Sequence, residues 1–201
     1  ITEWYEVASI ISDTSLTLTE TLSKTYPQNS PYIIEEVTQS LNSGWITSGP
    51  KVMALEQEVS NLIGIERTVC VNSWTSGAIL VLKWFGVKAG DEIIVPAYTY
   101  SATALAVVHC GARPVMVDIS DDFTINVENI EKAITSKTKV IMPVDIAGWP
   151  CDYEAINILV NRPSVKNKFI SESDKQTLLG RILVVSDAAH SIGAVYKGMP
   201  A

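Results

Sequence analysis

The sequence has few cysteines and no apolar stretch of membrane-spanning length. Its three cysteines, Cys70, Cys110 and Cys151, lie far apart, and no C-x-x-C pair or His/Cys cluster has the spacing of a metal site. We therefore expect no metal and reduced thiols, with Cys70 buried in a strand, as in a cytoplasmic protein. Spanning a bilayer takes about 20 apolar residues, and the longest run, at residues 102–108, is much shorter.

Positive charge is also scarce. The 15 lysines and arginines are outnumbered by 22 acidic residues, which gives a net charge of −7. A general nucleic-acid binder needs a basic surface to displace counterions, so we expect no nucleic-acid partner. A local basic pocket for a phosphate is compatible with this balance. Because 47% of the residues are hydrophobic and only 18% are charged, the composition predicts a globular interior.

From residue 31 onward the hydrophobic pattern alternates between strands and helices. Two amphipathic helices are predicted at residues 32–41 and 51–63. Short apolar runs then predict strands at residues 68–71, 92–95, 114–117, 140–144 and 182–185, separated by predicted helices at 75–85, 101–110, 127–134 and 153–160. Strands separated by helices predict an α/β fold with a mostly parallel sheet sandwiched by helices.

Two segments break this rhythm. Residues 1–30 are weakly periodic and predict an N-terminal arm or irregular segment, so we divide the chain into residues 1–30 and 31–201. Residues 162–181 are polar and predict an exposed insertion with a short helix at residues 173–179.

The sequence N-S-W-T-S-G at residues 72–77 lies where a predicted strand gives way to a helix. The start of a helix offers unpaired N–H groups and a positive dipole end, which suit a phosphate. Thr75 and Ser76 add hydroxyl donors. An ordinary Ser/Thr helix cap explains the same residues equally simply.

Asp187 ends the predicted strand at residues 182–185 and is followed by A-A-H, which includes His190. Ligands of open α/β sheets bind at the carboxyl ends of strands, and a carboxylate there is the usual partner of a protonated pyridine nitrogen. His190 has the reach to donate to a phenolic oxygen. A strand-capping aspartate and a structural histidine are the alternatives.

Two tyrosines, Tyr98 and Tyr100, follow the predicted strand at residues 92–95. An aromatic ring at this point can stack on a flat cofactor. The alternative is that the tyrosines close the edge of the core. The order of phosphate cradle, aromatic ring and strand-end aspartate is the order expected of a pyridoxal-phosphate (PLP) enzyme of the aspartate-aminotransferase fold.

An ordered set of short motifs resembles the DegT/StrS family of PLP-dependent sugar aminotransferases. The matching motifs are G-W-I-T-S-G-P at residues 44–50, N-S-W-T-S at 72–76, G-D-E-I-I-V-P at 90–96, T-Y-S-A-T at 99–103, G-A-R-P-V at 111–115, P-V-D-I-A-G-W-P at 143–150 and D-A-A-H-S at 187–191. The resemblance implies a truncated aspartate-aminotransferase-like large domain.

The resemblance also implies roles for individual residues. Thr75 and Ser76 would hold the phosphate, Tyr100 would stack on the pyridine ring, Asp187 would pair with the ring nitrogen, and His190 would contact the ring hydroxyl. Thr47 would lie near the substrate. Family members move an amino group from glutamate to a nucleotide-linked keto sugar in amino-sugar biosynthesis, and they work as homodimers.

The chain departs from the family pattern in three places. The family's Schiff-base lysine is expected beyond Ala201, so we expect the chain to be part of a longer polypeptide and inactive alone. Lys83, Lys88 and Lys197 are poor substitutes for it. Residues 162–181 are longer than the usual link, and Trp74 stands where a smaller residue is more common.

Two other interpretations remain open at this point. Some relatives replace the lysine by histidine and act as sugar dehydratases that use pyridoxamine phosphate. A chain without the lysine is also compatible with a non-catalytic fragment or regulatory module that binds PLP weakly.

Overall fold

The computed structural model describes residues 31–45 and 47–200, which divide into two compact units with the boundary between Val69 and Cys70. The described residues of the first unit form two helices, α1 (Pro31–Ser43) and α2 (Pro50–Ile63). The second contains, in chain order, α3 (Trp74–Trp84), β1 (Glu92–Pro96), α4 (Ser101–His109), β2 (Arg113–Val117), α5 (Val127–Ala133), β3 (Thr138–Ile141), α6 (Tyr153–Asn161), α7 (Pro163–Lys166), α8 (Asp174–Leu179), β4 (Leu183–Val184), β5 (Val195–Tyr196) and β6 (Met199–Pro200). The predicted arm at residues 1–30 lies outside the described residues.

The first four strands form one parallel sheet in the order β2-β1-β3-β4. After β1 the chain first adds β2 on one side of it and then returns to add β3 on the other side. Such a reversal opens a crevice at the carboxyl ends of the two central strands, where ligands of open α/β sheets bind. The predicted parallel α/β sheet is therefore confirmed, and its topology predicts a site beyond β1 and β3.

Two hydrophobic cores cover the two faces of this sheet. Ile94 and Ile141 pack with residues of α5 and α6, such as Ile130 and Ile156. Alternate residues of the same strands, with Ile93 among them, face the other way and pack with α3 and α4. All these side chains are fully buried, which explains why the strands read as continuous apolar runs.

The predicted strand at residues 68–71 is wrong. No strand is present there, and Cys70 is exposed rather than buried. A strand is stabilised by hydrogen bonds to a neighbour, and no described strand pairs with this segment. The apolar run alone therefore could not produce the predicted element.

The predicted exposed insertion at residues 162–181 is mostly exposed and contains the predicted short helix as α8, but a few buried residues attach it to the rest of the second unit. Val165 and Gln176 are buried. The Ser173 hydroxyl and the Gln176 amide both donate to the Phe85 carbonyl, at 2.8 and 3.1 Å. Gly86 has φ of 86°, and a Cβ there would lie 2.6 Å from Ser173 Cβ, so the chains approach too closely for any side chain.

A buried cation also holds this segment in place. Lys139 of β3 is 2% exposed, and its ammonium group donates to the Ile170 carbonyl. The same group lies 3.3 Å from Glu172 and 3.9 Å from Asp91. Burial of a charge is tolerated only with such partners. Lys139 and its partners therefore join the polar segment to the start of the strand.

We expect Gln176→Leu to lower the free energy of unfolding by about 1–3 kcal/mol, the cost of an unsatisfied buried polar group. Leucine removes the acceptor of the Glu172 N–H, which Gln176 Oε1 now accepts at 2.9 Å. Thr177→Val is the matched control on the exposed side of α8 and should change stability by less than about 0.5 kcal/mol. Urea denaturation measures both values. Equal stability of the two variants would show that the segment is only loosely attached.

Candidate functional site

A cavity of about 200 Å³ lies in the second unit, at the crevice that the sheet topology predicts. Its wall is formed by residues that follow the carboxyl ends of three strands. Residues 99, 100, 102 and 103 come after β1, residues 144–146 come after β3, and Asp187, Ala189 and His190 come after β4. Trp74 and Thr75, at the start of α3, complete the lining. Of the five predicted cofactor residues, four therefore line one cavity.

The start of α3 meets this cavity through Thr75. Ser73 caps the helix, because its side chain accepts a hydrogen bond from the Ser76 N–H at 3.1 Å. Trp74 and Thr75 are the first two residues of the helix, so their N–H groups have no carbonyl partner within it. Two N–H groups and the Thr75 hydroxyl are thus available at the positive end of the helix dipole.

Ser76 does not line the cavity, although it is next to Thr75 in sequence. Both its N–H and its hydroxyl interact with the Ser73 hydroxyl, which lies 3.0 Å from Ser76 Oγ. Its direct contact with a phosphate stays a prediction. Trp74, the large residue of this motif, packs partly against the core and partly lines the cavity.

Of the two tyrosines after β1, Tyr100 lines the cavity and Tyr98 does not. Tyr100 directly precedes α4, and 79% of its surface is exposed. Its ring therefore has free area for stacking on a ligand. Tyr98 instead packs against Phe123, with 5.6 Å between ring centroids. Stacking of Tyr100 on a cofactor stays a prediction, and Tyr98 and Phe123 are both exposed rather than part of the buried core.

Asp187 lies just beyond β4 and is 6% exposed. Its N–H donates to the Pro143 carbonyl at 2.8 Å, which continues the parallel pairing with the segment after β3. Its carboxylate accepts from the Thr103 hydroxyl at 3.1 Å and from the Ala189 N–H at 3.3 Å. Both donors are neutral, so none of its described hydrogen-bond partners is a cation.

Burial raises the pKa of Asp187 above its usual range. The hydrogen bonds from Thr103 and Ala189 and the nearby His190 oppose this effect without cancelling it. The negative charge of Asp145 adds to it. A buried carboxylate with a raised pKa is stabilised by a cationic partner. A raised pKa in a cavity is also typical of functional groups.

His190 is an exposed residue of the cavity wall. Its backbone carbonyl is in close contact with the turn after β3, since a Cβ on Gly148 would lie 2.9 Å from it. The backbone position of this exposed cavity residue is therefore tied to a neighbouring loop.

Thr103 and Asp145 are cavity residues that sequence reasoning did not select. Thr103 is fully buried in the apolar helix α4, and its hydroxyl connects Asp187 to Thr99 at 2.8 Å. Asp145 follows an apolar run in the same way as Asp187, and this shared sequence pattern could have identified it as a site residue. No comparable signal marks Thr103, because its partner is 84 positions away.

The remaining predicted residues fall outside the cavity lining. Thr47 lies in the loop between α1 and α2 of the first unit, and its contact with substrate stays a prediction. Of the lysines in the described part of the chain, none lines the cavity. Lys197 is paired with Glu154, and Lys88 lies 3.5 Å from Glu172.

Residues 31–45 and 47–200 contain no group of three or more His, Cys, Asp and Glu side chains that could hold a metal ion. None of the helices within these ranges is long and apolar enough to cross a membrane.

Residues 27–167 match the model of the DegT/DnrJ/EryC1/StrS aminotransferase family. The chain belongs to this family. Its enzymes use PLP, and solved members have the parallel-sheet fold seen here. Among curated relatives, the spore coat polysaccharide biosynthesis protein SpsC of Bacillus subtilis is 37% identical over 166 residues, which cover 82% of this chain and 38% of SpsC.

Two solved structures bear on the site. The putative sugar aminotransferase Spr1654 of Streptococcus pneumoniae, solved in apo, PMP and PLP forms, is 46% identical with a TM-score of 0.80. The match covers 84% of this chain and 42% of Spr1654. A GDP-4-keto-6-deoxymannose-3-dehydratase with a trapped PLP–glutamate geminal diamine is 26% identical, with a TM-score of 0.69 over 84% of this chain and 41% of the dehydratase. This chain thus spans about two fifths of the length of these relatives.

Proposed function

We propose that the complete polypeptide is a PLP-dependent aminotransferase that moves an amino group from glutamate to a keto group of a nucleotide-linked sugar. The observation that carries the proposal is that Thr75, Tyr100, Asp187 and His190 line one cavity at the crevice of the sheet. These four groups have the chemistry needed for the phosphate, the flat ring, the ring nitrogen and the ring hydroxyl of one cofactor.

The residues of the cavity fit PLP at its two ends. The buried carboxylate of Asp187 has only neutral hydrogen-bond donors, and burial raises its pKa, so a protonated pyridine nitrogen would supply the missing cation. The N-terminus of α3 and the Thr75 hydroxyl would bind the phosphate. Ser76 would support the same turn through Ser73.

When bound, PLP supplies the carbonyl carbon that takes up the amino group and the ring that withdraws electrons during the reaction. The residues of this chain bind and orient that ring. Asp187 holds a proton on the ring nitrogen, Tyr100 covers one face of the ring, and His190 donates to the ring hydroxyl. Thr47, as a further part of the proposal, contacts the sugar substrate.

The sugar substrate and the glutamate donor of this proposal are supported by the relatives. SpsC is named for polysaccharide biosynthesis, the dehydratase acts on a GDP-linked keto sugar, and its structure contains glutamate joined to PLP. We extend these properties to this chain, with a homodimer as the working assembly and the cytoplasm as its location. Cys151 is consistent with a reducing compartment, because it is buried and not part of a disulfide.

We expect the purified full-length protein to show an absorbance band of bound PLP in the near-visible range. Adding glutamate should shift this band to that of the amino form, and adding a nucleotide-linked keto sugar should restore it with release of an amino sugar. Aspartate at the same concentration is the control donor. A full-length protein that binds no PLP would refute the proposal.

The similarity to a dehydratase of the same fold makes sugar dehydration the second candidate function. The two reactions give different products from the same mixture. An aminotransferase yields a sugar that carries nitrogen, whereas a dehydratase yields a deoxy sugar without nitrogen. Mass spectrometry of the sugar product therefore decides between them.

A further inference from the structure

The segment that carries Asp187 and His190 is held at both ends by the loop after β3. At its start, the Asp145 N–H donates to the Asp187 carbonyl at 3.0 Å. At its end, the Ser191 hydroxyl donates to Asp145 Oδ2 at 2.7 Å. Ser191 is 1% exposed, so water does not replace this hydrogen bond. One residue, Asp145, thus contacts both ends of residues 187–191.

The Asp145 side chain is 1% exposed and makes all its hydrogen bonds to neutral groups. Besides Ser191, its Oδ1 accepts from the Cys151 N–H at 3.0 Å and from the Tyr153 hydroxyl at 2.7 Å. The Tyr153 hydroxyl also interacts with Ser186, the residue before Asp187. Burial raises the pKa of Tyr153, so the phenol stays protonated and keeps its hydrogen atom for one of these acceptors.

The free-energy cost of burying this carboxylate indicates that it has a role beyond ordinary packing. A buried charge without a cation is expensive, and such networks fix a unique local geometry when every member is satisfied. Here three donors satisfy the carboxylate, and two of them lead directly to residues 186–191. Asp145 also contributes to the cavity wall, close to the groups that it holds.

We propose that Asp145 is a positioning residue that fixes Asp187 and His190 for the cofactor through hydrogen bonds to Ser191 and, by way of Tyr153, to Ser186. The inference rests on the proposed function for its cofactor. In this role, Asp145 does not contact the reacting atoms. Its consequence is that residues outside the cavity, such as Ser191, control cofactor affinity.

The test compares four variants of the full-length protein. Asp145→Ala and Ser191→Ala remove the connection, whereas Ser191→Thr keeps the hydroxyl. Asp152→Ala is the matched control, because Asp152 belongs to the same loop but its described hydrogen bonds come from the Tyr196 hydroxyl and the Ala155 N–H and none comes from residues 186–191. We expect Ser191→Ala to weaken PLP binding about tenfold, the loss of one net hydrogen bond. Asp145→Ala removes the acceptor of three hydrogen bonds and should weaken PLP binding at least as much, whereas the other two variants should stay within twofold of wild type.

A second measurement is independent of the cofactor. The imidazole resonances of His190 in the cofactor-free protein, assigned with His190→Gln, should shift or broaden in Asp145→Ala and Ser191→Ala but not in Asp152→Ala. Unchanged resonances together with unchanged PLP affinity in folded Ser191→Ala would overturn the inference. Shifted resonances in a protein that binds no PLP would support the positioning role and refute only the proposed function.

Discussion

Replacing Asp187 with asparagine is expected to slow transamination by the full-length protein about 100- to 5,000-fold. Asparagine keeps the shape of the side chain and an acceptor for the Thr103 hydroxyl, but it removes the negative charge beside the pyridine nitrogen. Breaking a buried charge pair costs about 3–5 kcal/mol, and each 1.36 kcal/mol in the barrier is a factor of ten in rate. Steady-state kinetics with glutamate and the keto sugar measure the loss.

The same substitution should not destabilise the cofactor-free protein. Burial raises the pKa of Asp187, so the folded state binds this proton more tightly than the unfolded state does. The group therefore contributes stability only at low pH, where it is protonated, and this contribution is lost as the pH rises through the raised pKa. We expect Asp187→Asn to have a thermal midpoint at least equal to that of wild type at pH 7.

The opposite directions of these two effects make the prediction specific. Replacing an aspartate with a merely structural role would lower the stability and the activity of the protein together. Replacing a cofactor partner lowers the activity and leaves the stability unchanged or higher. Asp122→Asn is the control, because Asp122 accepts from Thr124 in a loop outside the cavity. Activity of Asp187→Asn within tenfold of wild type would contradict the assigned role.

The sheet was predictable from the sequence because its strands are buried on both faces. Ile93 and Ile94 point to opposite faces of β1, and both are fully buried. Such strands read as unbroken apolar runs, and each of the four strands of the parallel sheet lies within or close to its predicted range. The run at residues 68–71 is similarly apolar but has no described neighbour to pair with, and composition alone does not distinguish the two cases.

Polar residues that find partners far along the chain were not predictable in this way. Gln176 lies in a polar segment whose low periodicity indicates an exposed insertion, yet its side chain is buried. Lys139 of β3 carries a charge, yet it is buried as well. Gln176 contacts Phe85, which is 91 positions away, and Lys139 contacts Ile170, which is 31 positions away. Only the folded chain brings these partners together.

The residues of the candidate site also fall into two groups, those that the local sequence predicts and those that only the folded chain reveals. Asp187 and Tyr100 follow strands, and Thr75 follows a helix cap, so local sequence and the rule for open α/β sheets were enough to select them. Asp145 also follows a strand, but its role depends on Ser191 and Tyr153, which approach it only in the folded protein. The residues that would touch the cofactor were therefore easier to predict than the residue that holds them.

Gly148→Ala is expected to lower the free energy of unfolding by about 2–5 kcal/mol and to weaken PLP binding. Gly148 has φ of 82° and follows Ala147, which has φ of 53°, so two successive residues adopt the left-handed conformation. An alanine there costs about 1–2 kcal/mol in strain. Its Cβ would also lie 2.9 Å from the His190 carbonyl oxygen, and relieving that overlap costs about 1–3 kcal/mol more.

PLP binding is expected to weaken because the overlap displaces the backbone of residues 187–191. The atom in contact is a backbone oxygen, so it cannot rotate away as a side chain does, and residues 187–191 must shift with it. Gly198→Ala is the matched control, since Gly198 has φ of 83° but no atom within 4 Å of the position that a Cβ would take. Gly198→Ala has the backbone strain without the steric overlap, so it should lower the free energy of unfolding by about 1–2 kcal/mol and leave the PLP affinity unchanged. Equal PLP affinity in the two variants, measured by titration beside urea denaturation, would mean that the turn after β3 does not control the position of His190.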